Sequence, residues 1–177
     1  QDRKAAEKGD AAAQIRLGTR YAAGDGVEGD QKEAVKWFRN AAEQGDEQAQ
    51  NIMGARYAYG VGVEKDAKEA VKWYRKAAEQ GYADAQRSLG ECYDSGKGVE
   101  KDAKEAAKWY RKAADQGDAA AQALLDRVEK HLEPKAGDTK AADLAVDLGG
   151  NVKMEFVWIE ALKAWVGKYE VTNEEYR

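Results

Sequence analysis

Cysteine, histidine and proline each occur only once among the 177 residues of this sequence. A single cysteine cannot form an intramolecular disulfide. One cysteine and one histidine cannot supply the three or four nitrogen and sulfur ligands of a zinc site. These scarcities exclude disulfide scaffolds and zinc modules, and we predict that the chain holds no metal and no cofactor.

Long uncharged runs and an excess of positive charge are also missing. Lysine and arginine number 29 against 33 acidic residues, which gives a net charge of −4 with no basic block, so nucleic-acid binding is excluded. Uncharged runs reach about seven residues, as from Ala119 to Leu125, whereas a membrane-spanning helix needs roughly 20 apolar residues. We therefore predict no membrane insertion.

What the sequence does contain is a 36-residue repeat. Tryptophan recurs at Trp37, Trp73 and Trp109, and Tyr21 recurs as Tyr57 and Tyr93. Thirteen of the 18 glycines fall on repeat positions, in the sets 9/45/81/117, 18/54/90, 24/60/96 and 26/62/98. Glycine therefore marks turns and close contacts here, and does not indicate a flexible linker.

The spacing within one repeat predicts two helices. From about Asp46 to Tyr59, residues such as Ala49 and Met53 recur at helical spacing and form one buried stripe, and Gly54 allows the partner backbone to come close. The glycine-rich turn at 60–63 then ends this helix.

The second helix of the repeat begins at Asp66. Glu69 follows three residues later, which is the spacing of a capping box, and the helix is expected to end at Gly81. Trp73 is the largest residue of its buried stripe. Two helices per 36 residues, repeated, predict an all-α solenoid of αα-hairpins.

These motifs resemble the Sel-one-like repeat family, short relatives of tetratricopeptide repeats. The resemblance lies in the Leu-Gly-x-x-Tyr segments at 17–21 and 89–93, the Gly-x-Gly-Val turns, and the Ala-Ala-x-x-Gly endings. It implies a right-handed superhelix of helix-turn-helix repeats. We expect units at about 6–41, 42–77 and 78–113, followed by a capping helix at 114–133, so that the solenoid covers residues 1–133.

The remaining residues change in character. The composition of residues 134–150 indicates a linker. Two later segments, at 154–159 and 164–171, are rich in aromatic and β-branched residues and predict two strands. Thr172 with Glu175 has the spacing of a further capping box. Two strands and one helix start are too little for a core, so we expect residues 151–177 to be the incomplete start of a second domain.

Residues 167–176 resemble the opening of formylglycine-generating-enzyme, or sulfatase-modifying-factor, domains, in which a strand ends in Glu-Val-Thr-Asn. The resemblance implies a C-type-lectin-like fold that is either an oxidase with a pair of active-site cysteines or a binding domain. No residue here corresponds to those cysteines, and the segment at 160–163 departs from the family pattern. Bacterial relatives with this domain order suggest export to the cell envelope, although the compartment itself is left open.

Single reactive residues have simpler interpretations than catalysis. Cys92 replaces the arginines Arg20 and Arg56 of the other repeats, which favours a tolerated variant over a nucleophile. His131 has no identifiable partner for acid–base chemistry. The aspartates at 30, 66 and 102 each fall at a helix start, so they are caps and not calcium ligands. We therefore predict that the chain has no catalytic residue and is not an enzyme.

The face of the first helices that the core leaves free is the candidate binding surface. Its positions vary between repeats while core positions do not, and we predict that it contacts a partner protein or peptide, with Tyr59 and Arg87 as anchors. The predicted partner-binding residues are Ile15, Thr19, Ala23, Asn51, Ala55, Tyr59, Arg87, Glu91 and Ser95.

Two functional hypotheses follow. The first is an interaction scaffold or adaptor that uses the concave face of the repeats; its oligomeric state is left open, with a monomer favoured. The second is that the repeats are the adaptor region of a larger protein whose C-terminal domain is a formylglycine-generating oxidase or a lectin-like binding domain.

Overall fold

The computed structural model describes residues 2–132 with their side chains, and the backbone of residues 146–147, 152–159 and 164–171. The chain divides into two units, residues 1–132 and residues 133–177, which are described separately. The first unit contains eight helices: α1 (Asp2–Glu7), α2 (Ala11–Ala23), α3 (Gln31–Glu43), α4 (Glu47–Tyr59), α5 (Ala67–Glu79), α6 (Ala83–Ser95), α7 (Ala103–Ala114) and α8 (Ala119–Leu132).

These helices form the predicted all-α solenoid. Helices α2 and α3, α4 and α5, and α6 and α7 pair as hairpins, and each hairpin packs against the next through α3 with α4 and α5 with α6. Helix α8 covers α7, and α1 covers α2. The main contacts therefore all join helices that are adjacent in the chain, which is the defining property of a repeat array. Each described helix is too short or too polar to cross a membrane.

The second helix of every repeat begins at the predicted aspartate. In α5, the Oδ1 atom of Asp66 accepts hydrogen bonds from the backbone N–H groups of Lys68 and Glu69 at 2.9 and 3.0 Å. The reciprocal half of the expected capping box is absent among the described contacts, because the N–H of Asp66 already donates to the carbonyl oxygen of Tyr57. The Glu69 carboxylate instead accepts from Lys72 at 2.8 Å.

The glycine-rich turn between the helices joins one repeat to the previous one. Gly60 takes a left-handed conformation with φ 73° and caps α4 through a hydrogen bond from its N–H to the Arg56 carbonyl oxygen. Gly62 lies so close to α3 that a Cβ atom there would be 2.3 Å from the carbonyl oxygen of Gln31. Its positive φ and this close approach both require glycine.

The glycine inside each first helix faces an aromatic ring more closely than the partner backbone that we expected, although at Gly18 the carbonyl oxygen of Ala34 would also lie 3.1 Å from a Cβ atom. A Cβ atom on Gly54 would lie 2.5 Å from Cδ1 of Tyr74. Gly90 faces Tyr110 in the same way, and Gly18 faces Phe38. The missing side chain therefore makes room for a ring from the second helix of the same repeat.

Tryptophan burial differs along the array. Trp73 and Trp109 are 6% and 7% exposed and lie in successive core clusters. Trp37 is only partly buried and packs against the small cluster formed with α1, which includes Ala6 and Leu17. In the described residues the only element before the first hairpin is the short helix α1, which covers Trp37 incompletely.

The second unit contains strands where the sequence predicted them. Strand β2 (Val152–Ile159) pairs antiparallel with β3 (Ala164–Val171), and β1 (Val146–Asp147), within the expected linker, pairs with β2. The expected capping box of Thr172 and Glu175 lies outside the described residues, as does most of the linker predicted at 134–150.

We predict that Trp73→Ala lowers the free energy of unfolding by about 3–5 kcal/mol, because it removes a large buried ring and leaves a cavity. Urea unfolding followed by circular dichroism measures this change. Trp37→Ala is the matched control and should cost clearly less, since Trp37 is only partly buried. A loss below about 1 kcal/mol for Trp73→Ala would contradict its role in the core.

Candidate functional site

The nine residues predicted to contact a partner fall into two clefts and their surroundings. Ile15 and Thr19 line a first cleft between α2 and the start of α4, with a volume of about 510 Å³. Tyr59, Glu91 and Ser95 line a second cleft, of about 340 Å³, between α4, α5 and α6. Five of the nine predicted residues therefore line clefts between neighbouring repeats, and the other four do not.

The first cleft is polar, and its charges are already paired. Arg16 and Arg20 on α2 both approach Asp2 of α1, at 3.3 and 3.7 Å. Ile15 is 9% exposed and belongs to the hydrophobic core, so it supports this cleft from below and offers little surface to a partner. Thr19 is exposed, but its hydroxyl donates to the Ile15 carbonyl oxygen.

The second cleft has an exposed aromatic residue at its edge. Tyr59 is 76% exposed, the most exposed of the large hydrophobic residues in the described part of the chain. It ends α4, so the cap at Gly60 fixes its position. The full lining consists of Ala58, Tyr59, Lys65, Ala67, Ala70, Tyr74, Ser88, Glu91, Cys92, Ser95 and Lys97.

Arg87, the second predicted anchor, is held in place by two carboxylates and is partly exposed. Its Nε atom donates to Asp118 at 2.8 Å, and its Nη2 atom donates to Asp84 at 2.9 Å. Asp118 in turn accepts the N–H groups of the first turn of α8. Arg87 therefore fastens α6 to the start of α8, and its side chain is 31% exposed.

The other predicted residues differ in accessibility. Ala23 is exposed, whereas Ala55 and Asn51 are partly buried. The Oδ1 atom of Asn51 is buried and finds no hydrogen-bond partner among the described residues. Ser95 is exposed, and its hydroxyl donates to the Glu91 carbonyl oxygen at 2.7 Å. Five of the nine residues are therefore exposed, and three of these, Tyr59, Glu91 and Ser95, share the second cleft.

A chain of buried glutamines, which the sequence analysis did not identify, holds successive repeats in register. The Nε2 atom of Gln50 donates to the carbonyl oxygen of Ala42 in α3, and its Oε1 atom accepts from Gln80 at the end of α5. Gln14 and Gln86 make the same two contacts in their own repeats. The 36-residue spacing of these glutamines was the signal that could have revealed them.

Cys92 lies on α6 and contributes its thiol to the second cleft. Burial raises the pKa of this thiol to about 11, and the neighbouring Glu91 carboxylate acts in the same direction. The thiol is therefore protonated at neutral pH and has little nucleophilic character. His131 is exposed near the end of α8. No cluster of metal-ligating side chains occurs within the described residues.

The comparison with family profiles finds three matches to the Sel1 repeat, the Sel-one-like repeat of the sequence analysis. They cover residues 11–46, 47–82 and 83–118. Each matched unit starts near the beginning of a first helix, five residues later than the unit boundaries expected from the sequence. The search of curated proteins gave no significant match.

Solved structures also match the Sel1 repeat. A Sel1 repeat protein from Oxalobacter formigenes is 44% identical over 71% of this chain and 95% of that chain, with a TM-score of 0.67. The protective antigen c5321 of uropathogenic Escherichia coli, which displays an SLR fold, is 43% identical over 73% of this chain, with a TM-score of 0.72. This chain covers 28% of that antigen.

A third structure, cysteine-rich protein B of Helicobacter pylori, shares the fold alone. It is 24% identical over 70% of this chain and 94% of that chain, with a TM-score of 0.57.

We predict that folded Cys92 reacts with iodoacetamide at pH 8 more than about a hundredfold more slowly than in the urea-unfolded chain. The pKa of about 11 leaves far less thiolate than the pKa of about 8.5 of an exposed cysteine. Mass spectrometry of the alkylated chain measures both rates. The folded rate should rise about tenfold per pH unit up to pH 10, and a plateau near pH 9 would contradict the raised pKa.

Proposed function

The chain belongs to the Sel1 repeat family, and we propose that it is a scaffold that docks a segment of another protein against helices α2, α4 and α6. Helical-repeat solenoids generally present extended surfaces to protein partners. In this chain, the proposed contact surface is the one formed by these three helices.

The observation that carries this proposal is the exposure of Tyr59 at the edge of the second cleft. A tyrosine supplies a large contact area with few rotatable bonds, and tyrosine is enriched at binding hot spots. Glu91 and Ser95 lie on the opposite wall of the same cleft. Thr19, Ala23, Asn51 and Ala55 belong to the proposed surface as flanking positions, while Ile15 and Arg87 support it from within the fold.

The outer face of the second helices is a weaker candidate. One lysine of each second helix already forms an ion pair within its own helix turn: Lys36 with Glu33, Lys72 with Glu69, and Lys108 with Glu105, each at 2.8 Å. These side chains are largely exposed, so the pairs are solvated and contribute little to stability. The same arrangement recurs in all three repeats, as expected for a solvated surface.

We predict that peptides selected against the immobilised chain from a random display library lose at least about 30-fold in affinity on Tyr59→Ala, the scale of a hot-spot residue. Fluorescence titration measures the dissociation constants. Lys72→Ala on the outer face is the control and should leave them unchanged. Selected peptides that ignore Tyr59→Ala but weaken on Lys72→Ala would overturn the proposed surface.

We also propose that residues 1–177 by themselves perform no catalysis. The second hypothesis from the sequence, a following domain that resembles formylglycine-generating enzymes, is supported by the antiparallel pairing of β2 with β3. The residues that carry most of that resemblance, Thr172 to Tyr176, lie outside the described part. Translating the coding region past the Arg177 codon would separate an oxidase, which needs a cysteine pair, from a binding domain.

We expect purified 1–177 to leave a cysteine-containing substrate peptide unchanged. The sequence has one cysteine, whereas the resembled oxidases use a pair. Mass spectrometry detects conversion of the peptide cysteine to formylglycine. Turnover by this chain would contradict the proposal and make it an enzyme.

A further inference from the structure

The interfaces between successive repeats are built on the same plan but are filled differently. Between the first and second repeats, Arg56 fills the space. Its guanidinium lies 5.2 Å from the centre of the Phe38 ring, and its Nη1 atom donates to Gln31 Oε1 at 2.6 Å. Burial lowers the pKa of Arg56, which reflects how far the side chain reaches into the interface.

The interface between the third repeat and α8 is closed by a different arginine. Arg127 on α8 donates to Asp94 on α6 at 2.5 Å and bridges the two helices. Below them, Tyr110 is fully buried, and its hydroxyl has no hydrogen-bond partner among the described residues. Leu125 and Val128 of α8 belong to the core cluster that contains this ring.

The middle interface, between the second and third repeats, has neither arginine. Cys92 stands at the position that corresponds to Arg56. Glu91 and Ala58 stand at the positions that correspond to Arg127 and Asp94. The second cleft is the space left by these replacements. The ring of Tyr74, which corresponds to Phe38, forms its floor. The cleft is therefore a specific departure from the repeat and not a gap common to every interface.

The floor and the rim of this cleft differ in chemistry. Ala67, Ala70 and the Tyr74 ring line an apolar floor, in which Ala70 is 1% and Tyr74 6% exposed, so the contact area on the floor itself is small. Lys65 and Lys97 stand at the rim, and neither forms an ion pair within the described residues, whereas Glu91 is the single acidic residue of the lining. A cleft of about 340 Å³ with this lining holds one large side chain and its flanking backbone.

The polar groups of the cleft favour an acceptor in the occupant. Burial raises the pKa of the Tyr74 hydroxyl, so this group stays neutral and can donate a hydrogen bond. The ammonium groups of Lys65 and Lys97 have only donors to offer. The hydroxyls of Ser88 and Ser95 already donate to carbonyl oxygens of their own helix. The hydrogen-bond donors of the cleft therefore outnumber its acceptors, among which the Glu91 carboxylate is the single charged group.

We propose that the second cleft binds one bulky apolar side chain of a partner peptide that carries acidic residues beside it. The apolar side chain lies over the Tyr74 ring, and the acidic groups pair with Lys65 and Lys97. This inference rests on the proposed function and adds the sequence that the partner must present. Charge complementarity selects this occupant over a basic or uncharged segment.

The test uses three capped pentapeptides and the full chain: Gly-Asp-Leu-Asp-Gly, Gly-Asp-Ala-Asp-Gly and Gly-Lys-Leu-Lys-Gly. Dissociation constants come from chemical-shift titrations. The acidic leucine peptide should bind at least about tenfold more tightly than either of the others, a difference of about 1.4 kcal/mol. Equal binding of the lysine peptide would overturn the proposal.

Cys92→Arg is the decisive variant. Arg20 and Arg56 stand at the positions of the other repeats that correspond to Cys92, so the fold accommodates an arginine there. The new side chain should fill the cleft and weaken binding of the acidic leucine peptide at least about tenfold. Cys92→Ser is the matched control and should bind like the natural chain. If Cys92→Arg fails to fold, Lys97→Glu at an exposed position should weaken the same peptide while its thermal unfolding stays unchanged.

Further outcomes separate this inference from the proposed function. Unchanged binding to folded Cys92→Arg would overturn the inference. Library peptides that depend on Tyr59 but lack the acidic-apolar motif would also overturn it, while leaving the proposed function intact. Equally tight binding of isovalerate, a free branched carboxylate, would show that the cleft takes a small anion and not a peptide segment.

Discussion

Every repeat depends on one contact, an aromatic ring packed against a glycine in the facing helix. The ring of Tyr74 occupies the volume that any side chain at position 54 would need, since a Cβ atom there would lie 2.5 Å from the ring. This contact sets how closely the two helices of a hairpin approach. The same ring extends to the next repeat and forms the floor of the second cleft. The packing of one repeat therefore shapes the binding surface of the next.

The buried glutamines explain why this local packing persists along the array. Each one spans three helices, because its amide donates to the helix before it and accepts from the end of the helix after it. A buried amide that satisfies both its donor and its acceptor fixes the register more strictly than apolar contacts do. In a repeat array each unit contacts only its neighbours. One interface can therefore remain open while the register of the others is maintained.

The sequence predicted the features that repeat. The 36-residue period located the hairpins, the aspartate caps were found at the expected residues, and Trp73 is buried as expected. It did not predict which group fills the space beside Gly54 or that Glu69 turns to Lys72. Periodicity gives the angular position of a residue on its own helix, but not the side chains that neighbouring helices bring to it.

The same limit applies at the candidate site. Ile15 lies on the free side of an isolated helix, yet the neighbouring repeat covers it until only 9% is exposed. Arg87 was chosen for its chemistry, and its partner Asp118 lies 31 residues further along the chain. Lys65 and Lys97 were missed because they lie in turns, where a helical projection assigns no face.

In a repeat protein, function is therefore best sought where one repeat departs from the others. Arg56 must lose part of its hydration to fill its interface, and the Phe38 ring and the Gln31 amide offset that loss. Cys92 loses no comparable hydration, but it leaves apolar surface in contact with water. An open, hydrated cleft costs less than a sealed empty cavity, and an apolar side chain that displaces its water recovers the burial that Arg56 provides elsewhere. The replacement of arginine by cysteine at this register, together with Glu91 and Ala58, thus turns a packing interface into the cleft that we propose as a binding site.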